Sequence, residues 1–144
     1  MNPHLTVITL GVRDFAASVR FYQALGFERR VRATGNQVAF FDAGGAVLAL
    51  YHWHLLAEDA QLAQDPQPSG FRGTTLAWNC ASDAGVDAAL AHALKAGAAL
   101  LKPAQKTPWG GYSGYFADPD GHPWEVVHAP MFPLDAAGRL VLPE

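Results

Sequence analysis

The chain has 144 residues, of which half are hydrophobic and 16% are charged, and its formal net charge is −3. This length suits one compact domain with a sizeable core, and the composition excludes a disordered chain. The charge excludes a strongly basic surface for nucleic acid or anionic membrane, and the single cysteine excludes an internal disulfide. The N-terminus has no signal-peptide pattern and no apolar stretch is long enough to span a bilayer, so we expect a cytoplasmic protein.

The first half of the chain predicts a β-α-β-β-β unit. Residues 4–12 alternate as a strand does, with Thr9 on the face opposite the larger apolar side chains. Asp14 is suited to cap a helix, and Gly26 is suited to end it. Glycine-containing turns then separate three short predicted strands, at residues 27–32, 37–42 and 46–51.

The second half repeats this pattern after a segment that predicts a linker or a short helix with loops. A strand is predicted at residues 74–80, a helix at 86–96 and the start of a further strand at 99–102. Gly97 ends the second helix about 70 residues after Gly26 ends the first, which indicates two similar halves.

A hairpin is predicted around the turn Asp118-Pro119-Asp120-Gly121, because proline presets φ and glycine tolerates a positive φ. Strand alternation puts Ser113 and Tyr115 on one face of the strand before this turn. Glu125 lies in the middle of the apolar strand after it. A carboxylate is costly to bury there without a partner, so Glu125 is the first candidate for chemistry.

The segments LGVRDFAASVRFYQALGF and GYFADPDGHPWEVVHAP resemble the vicinal oxygen chelate (VOC) superfamily. This superfamily includes glyoxalase I, extradiol dioxygenases, fosfomycin-resistance thiol transferases and bleomycin-resistance proteins. The resemblance implies an α+β fold in which two βαβββ modules form a curled mixed sheet around a cavity, commonly in a homodimer. It implies one VOC domain at residues 1–130, with module 1 at about 4–52, a linker at about 53–72 and module 2 at about 73–130. Residues 131–144 form a C-terminal tail.

Catalytic members of the superfamily hold a divalent metal with four inward-facing side chains. The resemblance places these positions at Val7, Leu48, Thr75 and Glu125. Glu125 is the one usual ligand type among them, since valine and leucine donate nothing. None of the six histidines has ligand-like spacing to an acid within a regular element. We therefore expect no metal and no other cofactor.

Glu125 and Tyr115 are the candidate catalytic residues. The resemblance supports Tyr115, because fosfomycin-resistance proteins place a substrate-contacting tyrosine ten residues before the acid. Glu125 is a general base or ligand anchor, or a relic that pairs with a cavity hydroxyl or water. Trp109 is a stacking platform at the cavity mouth or an interface anchor. The predicted ligand-binding set is Thr9, Leu48, Thr75, Asn79, Trp109, Ser113 and Tyr115, with Val7 and Leu50 in the cavity wall.

These residues predict a metal-independent protein that binds an unidentified small molecule, with sequestration in the manner of bleomycin-resistance proteins as one use. The alternative is a glyoxalase-like lyase or isomerase, or a dioxygenase-related enzyme, that uses Glu125 as general base without the usual metal site. A third hypothesis is an assembly module with a filled cavity. We expect a homodimer and no nucleic-acid or membrane partner.

Overall fold

The computed structural model describes residues 1–63 and 70–144. The chain divides into two compact units, Met1–Gly73 and Thr74–Glu144. The predicted linker at 53–72 begins with a short helix, and its residues 64–69 lie outside the described part of the chain. No helix among the described residues is both long and apolar enough to cross a membrane.

The elements of each unit follow the predicted order. The first unit contains β1 (Val7–Val12), α1 (Phe15–Leu25), β2 (Arg29–Arg30), β3 (Val38–Asp42), β4 (Val47–His52) and α2 (Trp53–Asp59). The second contains β5 (Leu76–Asn79), α3 (Asp83–Lys95), β6 (Ala99–Lys106), β7 (Tyr112–Ala117) and β8 (Pro123–His128).

The two sheets have the same topology, which confirms the two similar halves. Their strand orders are β1-β4-β3-β2 and β5-β8-β7-β6. In each sheet the first strand lies parallel to the last one, and the remaining pairs are antiparallel. The α+β fold with two βαβββ modules is therefore confirmed.

The predicted ends of α1 are confirmed by its caps. The Asp14 side chain accepts a hydrogen bond from the Ala17 backbone N–H at 2.9 Å, and Gly26 has the left-handed φ of 114°. The prediction for α3 was wrong by three residues at its start. Ser82 is the N-cap, and its hydroxyl accepts from the Gly85 N–H at 3.0 Å, so the helix begins at Asp83.

The prediction of a strand at residues 27–32 was too long. β2 contains two residues, and the backbone then turns into a short 3₁₀ helix, Arg32–Thr34. Val31, which precedes it, has a left-handed φ of 50° that a β-branched residue rarely adopts. Alternating composition alone did not reveal this local turn.

The predicted hairpin turn between β7 and β8 is confirmed. The Asp118 carboxylate accepts hydrogen bonds from the backbone N–H groups of Asp120 and His122, at 2.9 and 2.8 Å. Gly121 has a φ of 80°. Asp118 is 4% exposed, so these bonds satisfy a buried carboxylate and fix how the two strands pair.

One face of each sheet is covered by its long helix. In the first unit the Tyr22 ring of α1 lies 6.1 Å from the Phe41 ring, and both side chains are fully buried. In the second unit α3 packs so close to β7 that a Cβ at Gly114 would stand 2.6 Å from Leu90 Cδ1. It would also stand 2.9 Å from the backbone of Lys102 and Ala104 in β6.

Substitution of Gly114 by alanine should therefore overpack this interface. We expect Gly114→Ala to lower the free energy of unfolding by about 1–3 kcal/mol, measured by urea denaturation. The double variant Leu90→Ala/Gly114→Ala is the control. It should remain less stable than Leu90→Ala alone, because the β6 backbone still blocks the new methyl group. Equal stability of Gly114→Ala and the wild type would contradict this packing.

Candidate functional site

A pocket of about 660 Å³ lies on the open face of the first sheet, entirely within the first unit. Its floor follows from strand register, because Thr9 on β1, Ala49 on β4 and Phe40 on β3 pair in one row. Tyr51 and Val38 pair in the next row. Side chains alternate along a strand, so these five share one face. The volume lies in the range of small-molecule sites.

The end of β4, helix α2 and the loop before β3 complete the pocket wall. They contribute Asn36, Gln37, His52, Leu55, Leu56 and Asp59. His52 Nε2 lies 2.8 Å from the Asn36 carbonyl oxygen, and the His52 ring stacks on Phe15 at 5.1 Å. A carbonyl oxygen accepts and never donates, so Nε2 carries the proton in this arrangement. These two contacts hold the imidazole where β4 meets α2.

The predicted cavity put Leu48 and Leu50 on the same face as Thr9, and this placement was wrong. Leu48 pairs with Ile8 and Leu50 pairs with Leu10, so both leucines lie on the opposite face. They are 2% and 0% exposed, in the core of the first unit. A shift of one residue exchanges the two faces of a strand, and the mixed apolar sequence of β4 did not fix that choice.

Of the predicted ligand-binding set, Thr9 is the one residue that lines this pocket. Sequence reasoning missed the pocket residue Asp59 because it belongs to the segment predicted as linker, and missed His52, which lies at the boundary between module 1 and that linker. The signal that could have found the open face is the small Ala49 between two leucines. A small side chain on one face of a buried strand leaves room for a ligand.

In the second unit, the face opposite α3 carries the predicted pair Tyr115 and Glu125. These residues are direct cross-strand partners on β7 and β8, as the hairpin predicts. Asn79 and Ser113 both pair with Val127, so they lie on this same face. Ser113 is 2% exposed and presents almost no surface, whereas Tyr115, Glu125 and Asn79 are partly exposed.

Two predicted residues lie outside these paired strands. Thr75 precedes β5 and is exposed. Trp109 lies in the turn before β7, and its ring covers the backbone of Gly111, where an added Cβ would stand 2.1 Å from ring carbons. Trp109 is 49% exposed, so half of its surface is available. Its role as a stacking platform or an interface anchor stays a prediction.

The electrostatics of β7 favour protonated phenols. Burial raises the pKa of Tyr115 above its ordinary value of 10.0, and Glu125 raises it further through its charge and a hydrogen bond. Tyr115 therefore stays neutral at physiological pH and can donate a hydrogen bond. The Tyr112 hydroxyl donates to Asp87 Oδ1 at 2.8 Å, and this hydrogen bond raises the pKa of Tyr112.

A polar cluster that sequence reasoning missed lies at the first turn of α3. Asp83 accepts a hydrogen bond from Lys106 on β6, and its Oδ1 lies 2.8 Å from Nδ1 of His128 on β8. The hydrogen bonds from Lys106 and then His128 lower the pKa of the Asp83 carboxyl. Because β6 and β8 flank β7, Asp83 ties the helix start to both outer neighbours of that strand. The helix was predicted to begin at Val86, so Asp83 was not expected in its first turn and the cluster was not predicted.

A match over most of the chain identifies the protein family. The sequence profile of the Glyoxalase/Bleomycin resistance protein/Dioxygenase superfamily matches residues 4–126. The chain belongs to this superfamily. A glyoxalase-related enzyme from Fulvimarina pelagi is 36% identical in sequence and superimposes with a TM-score of 0.85. That comparison covers 96% of this chain and 97% of the other.

Two further superfamily structures are similar at lower identity. A glyoxalase/bleomycin resistance protein/dioxygenase from Nocardioides is 28% identical with a TM-score of 0.74, covering 89% of this chain and 84% of that chain. A family enzyme from Burkholderia phytofirmans PsJN is 25% identical with a TM-score of 0.77, covering 88% and 98%. Comparison with curated proteins gives no match.

The superfamily's four metal positions were predicted at Val7, Leu48, Thr75 and Glu125. Leu48 faces the core, and its neighbours on the open face, Val47 and Ala49, also carry no donor atom. Hydrocarbon side chains cannot ligate a metal, so the first unit supplies no ligand at these positions.

Few side chains around Glu125 could ligate a metal ion. Its partner on β5 is Ala77, and its partner on β7 is Tyr115, whose raised pKa keeps the phenol protonated. Within residues 1–63 and 70–144, no group of three or more His, Cys, Asp or Glu side chains is placed to hold a metal ion. The residues described do not fit the superfamily's metal site.

The pairing of Tyr115 with Glu125 can be tested by titration. We expect Glu125→Gln to lower the pKa of Tyr115, because the variant removes the negative charge that disfavours the phenolate. The pKa should stay above its ordinary value, since burial remains. Carbon NMR of labelled tyrosine rings measures both phenols in one sample.

Tyr112 provides the internal control for this titration. Glu125→Gln should leave the pKa of Tyr112 unchanged, and Asp87→Asn should lower the pKa of Tyr112 alone. A Tyr115 pKa that is the same in the wild type and in Glu125→Gln would show that the two side chains do not interact.

Proposed function

We propose that this chain is a metal-independent small-molecule-binding protein of the superfamily. The observation that carries the proposal is the pocket on the open face of the first sheet. Its floor is largely apolar, through side chains such as Phe40, and its wall combines Leu55 and Leu56 with four polar side chains. This mixture of apolar surface and polar groups suits a small, partly apolar molecule.

Sequestration of a toxic molecule, as in a resistance protein, is one use that needs no catalytic group. An apolar floor supplies affinity by removing ligand surface from water, at about 25 cal/mol per Å². Polar atoms of Thr9, Tyr51 and His52 would orient the ligand. None of these groups has to change its covalent bonds for such a function.

The second candidate function is an enzyme, and the pair in the second unit favours it. Tyr115 holds a proton on its phenol, and Glu125 lies directly opposite it as a carboxylate that can accept one. Together they could serve as general acid and general base in a lyase or isomerase reaction without a metal. If the wild type turns over a carbonyl substrate and Glu125→Gln does not, the enzyme becomes the leading hypothesis in place of the binding protein.

Binding in the pocket can be tested by filling it. The neutral fluorescent probe N-phenylnaphthylamine should bind the wild type with saturable fluorescence enhancement. Thr9 is exposed and lines the pocket, so Thr9→Trp should fill the pocket and leave the core intact. We expect Thr9→Trp to weaken probe binding at least about tenfold, or about 1.4 kcal/mol.

Val7→Trp is the matched control for this experiment. Val7 lies two residues earlier on the same strand face, is 44% exposed and does not line the pocket. The Val7→Trp variant should bind the probe with wild-type affinity. If Thr9→Trp and Val7→Trp bind the probe equally well, the pocket is not the binding site.

Metal independence has its own test. Elemental analysis, and calorimetry with Zn²⁺, Ni²⁺, Mn²⁺ and Fe²⁺, should reveal no tight stoichiometric site, because three of the four superfamily positions carry no usual ligand. One tightly bound metal ion per chain that disappears in Glu125→Ala would contradict the proposal. Such a result would restore the superfamily's metal-dependent reactions as the leading hypothesis.

A further inference from the structure

The described lining of the pocket in the first unit contains one side chain with a fixed charge. Among the described residues, the lining contains the carboxylate of Asp59 and contains no lysine or arginine. Asp59 is the last residue of α2, and Glu58 precedes it. α2 itself carries two acids, no lysine and no arginine. Arg13 and Arg72 lie over the Trp53 ring at the other end of α2 and are not part of the lining, so the fixed charge of the described lining is the Asp59 carboxylate.

His52 does not offset this acidity while it is neutral. Its Nε2 proton is directed to the Asn36 carbonyl oxygen at 2.8 Å, so that N–H group is already engaged. The remaining ring nitrogen of a neutral imidazole is an acceptor. The fixed charge that an incoming ligand meets at the described lining is negative.

We propose that the pocket takes a molecule with an apolar body and a protonated amine, and that it disfavours carboxylates of the same shape. This inference rests on the proposed binding function and names the chemical class of its ligand. The apolar body packs on Phe40, Leu55 and Leu56, which line the pocket and are partly exposed. The ammonium group pairs with the carboxylate of Asp59, which is therefore the residue that determines specificity.

The expected discrimination is modest because Asp59 is exposed to solvent. Exposed ion pairs contribute about 0.2–1 kcal/mol, which corresponds to roughly one-and-a-half- to fivefold in affinity. The contribution should fall as added salt screens the charge, since the Debye length is about 10 Å at 0.1 M salt. The affinity of the apolar body should depend little on that screening.

Three probes that share one skeleton test this inference. Benzylamine, benzyl alcohol and benzoate should compete with N-phenylnaphthylamine in that order at neutral pH and low salt. We expect benzylamine to bind about two- to fivefold more tightly than benzyl alcohol, and benzoate to bind more weakly than both. High salt should bring the three affinities together.

The variants Asp59→Asn and Glu58→Gln form a matched pair, because each removes one negative charge from α2. Glu58 does not line the pocket. Asp59→Asn should abolish the preference for benzylamine over benzyl alcohol, whereas Glu58→Gln should keep most of it. If the preference is the same in Asp59→Asn and the wild type, or if benzoate binds as well as benzylamine, the inference is wrong.

The outcomes also separate this inference from the proposed function. If Thr9→Trp blocks the dye but the three competitors bind equally, the pocket is the binding site and its assigned ligand class is wrong. If neither the dye nor any competitor binds the wild type, the binding function and the ligand class are both overturned.

Discussion

The architecture of each unit depends on one parallel strand pair, which joins the first strand to the last. This pair is β1 with β4 in the first unit and β5 with β8 in the second. Parallel neighbours require a crossover connection, and here the crossover contains a helix and two further strands. The helix covers one face of the sheet and leaves the other face open. Along each strand, successive side chains then point alternately to the packed face and to the open face. The core and the candidate site are therefore two sides of the same strands.

This division explains why residues that are adjacent in sequence have unrelated roles. Leu48 and Leu50 lie on the packed face of β4, while Ala49 between them lies on the opposite face, in the pocket floor. On β7, Gly114 allows Leu90 of α3 to approach the strand, and its neighbour Tyr115 faces away from the helix toward Glu125. A substitution on the packed face therefore changes stability, whereas a substitution at the next residue, on the open face, changes the candidate site.

The two units have kept the same topology while their open faces differ chemically. The face of the first unit has an apolar floor with an acid at its edge, and that of the second carries a phenol beside a carboxylate. The superfamily profile and the similar solved structures establish the scaffold. A scaffold shared by many functions does not determine the chemistry, which depends on side chains at a few open-face positions. Here the proposed role of those side chains is binding by shape and charge, without metal coordination.

The sequence by itself determined the order of the elements, the caps of α1 at Asp14 and Gly26, the hairpin turn at Asp118 and the pairing of Tyr115 with Glu125. These features depend on contacts between residues that are close in the chain, and local composition encodes such contacts. Tertiary structure alone decided which face of β4 is open and that α2 carries Asp59 to the pocket. Both features depend on contacts between residues that are distant in the chain. The open face of β4 depends on pairing with β1 about 40 residues earlier, and a strand shifted by one residue has nearly the same composition but opposite faces.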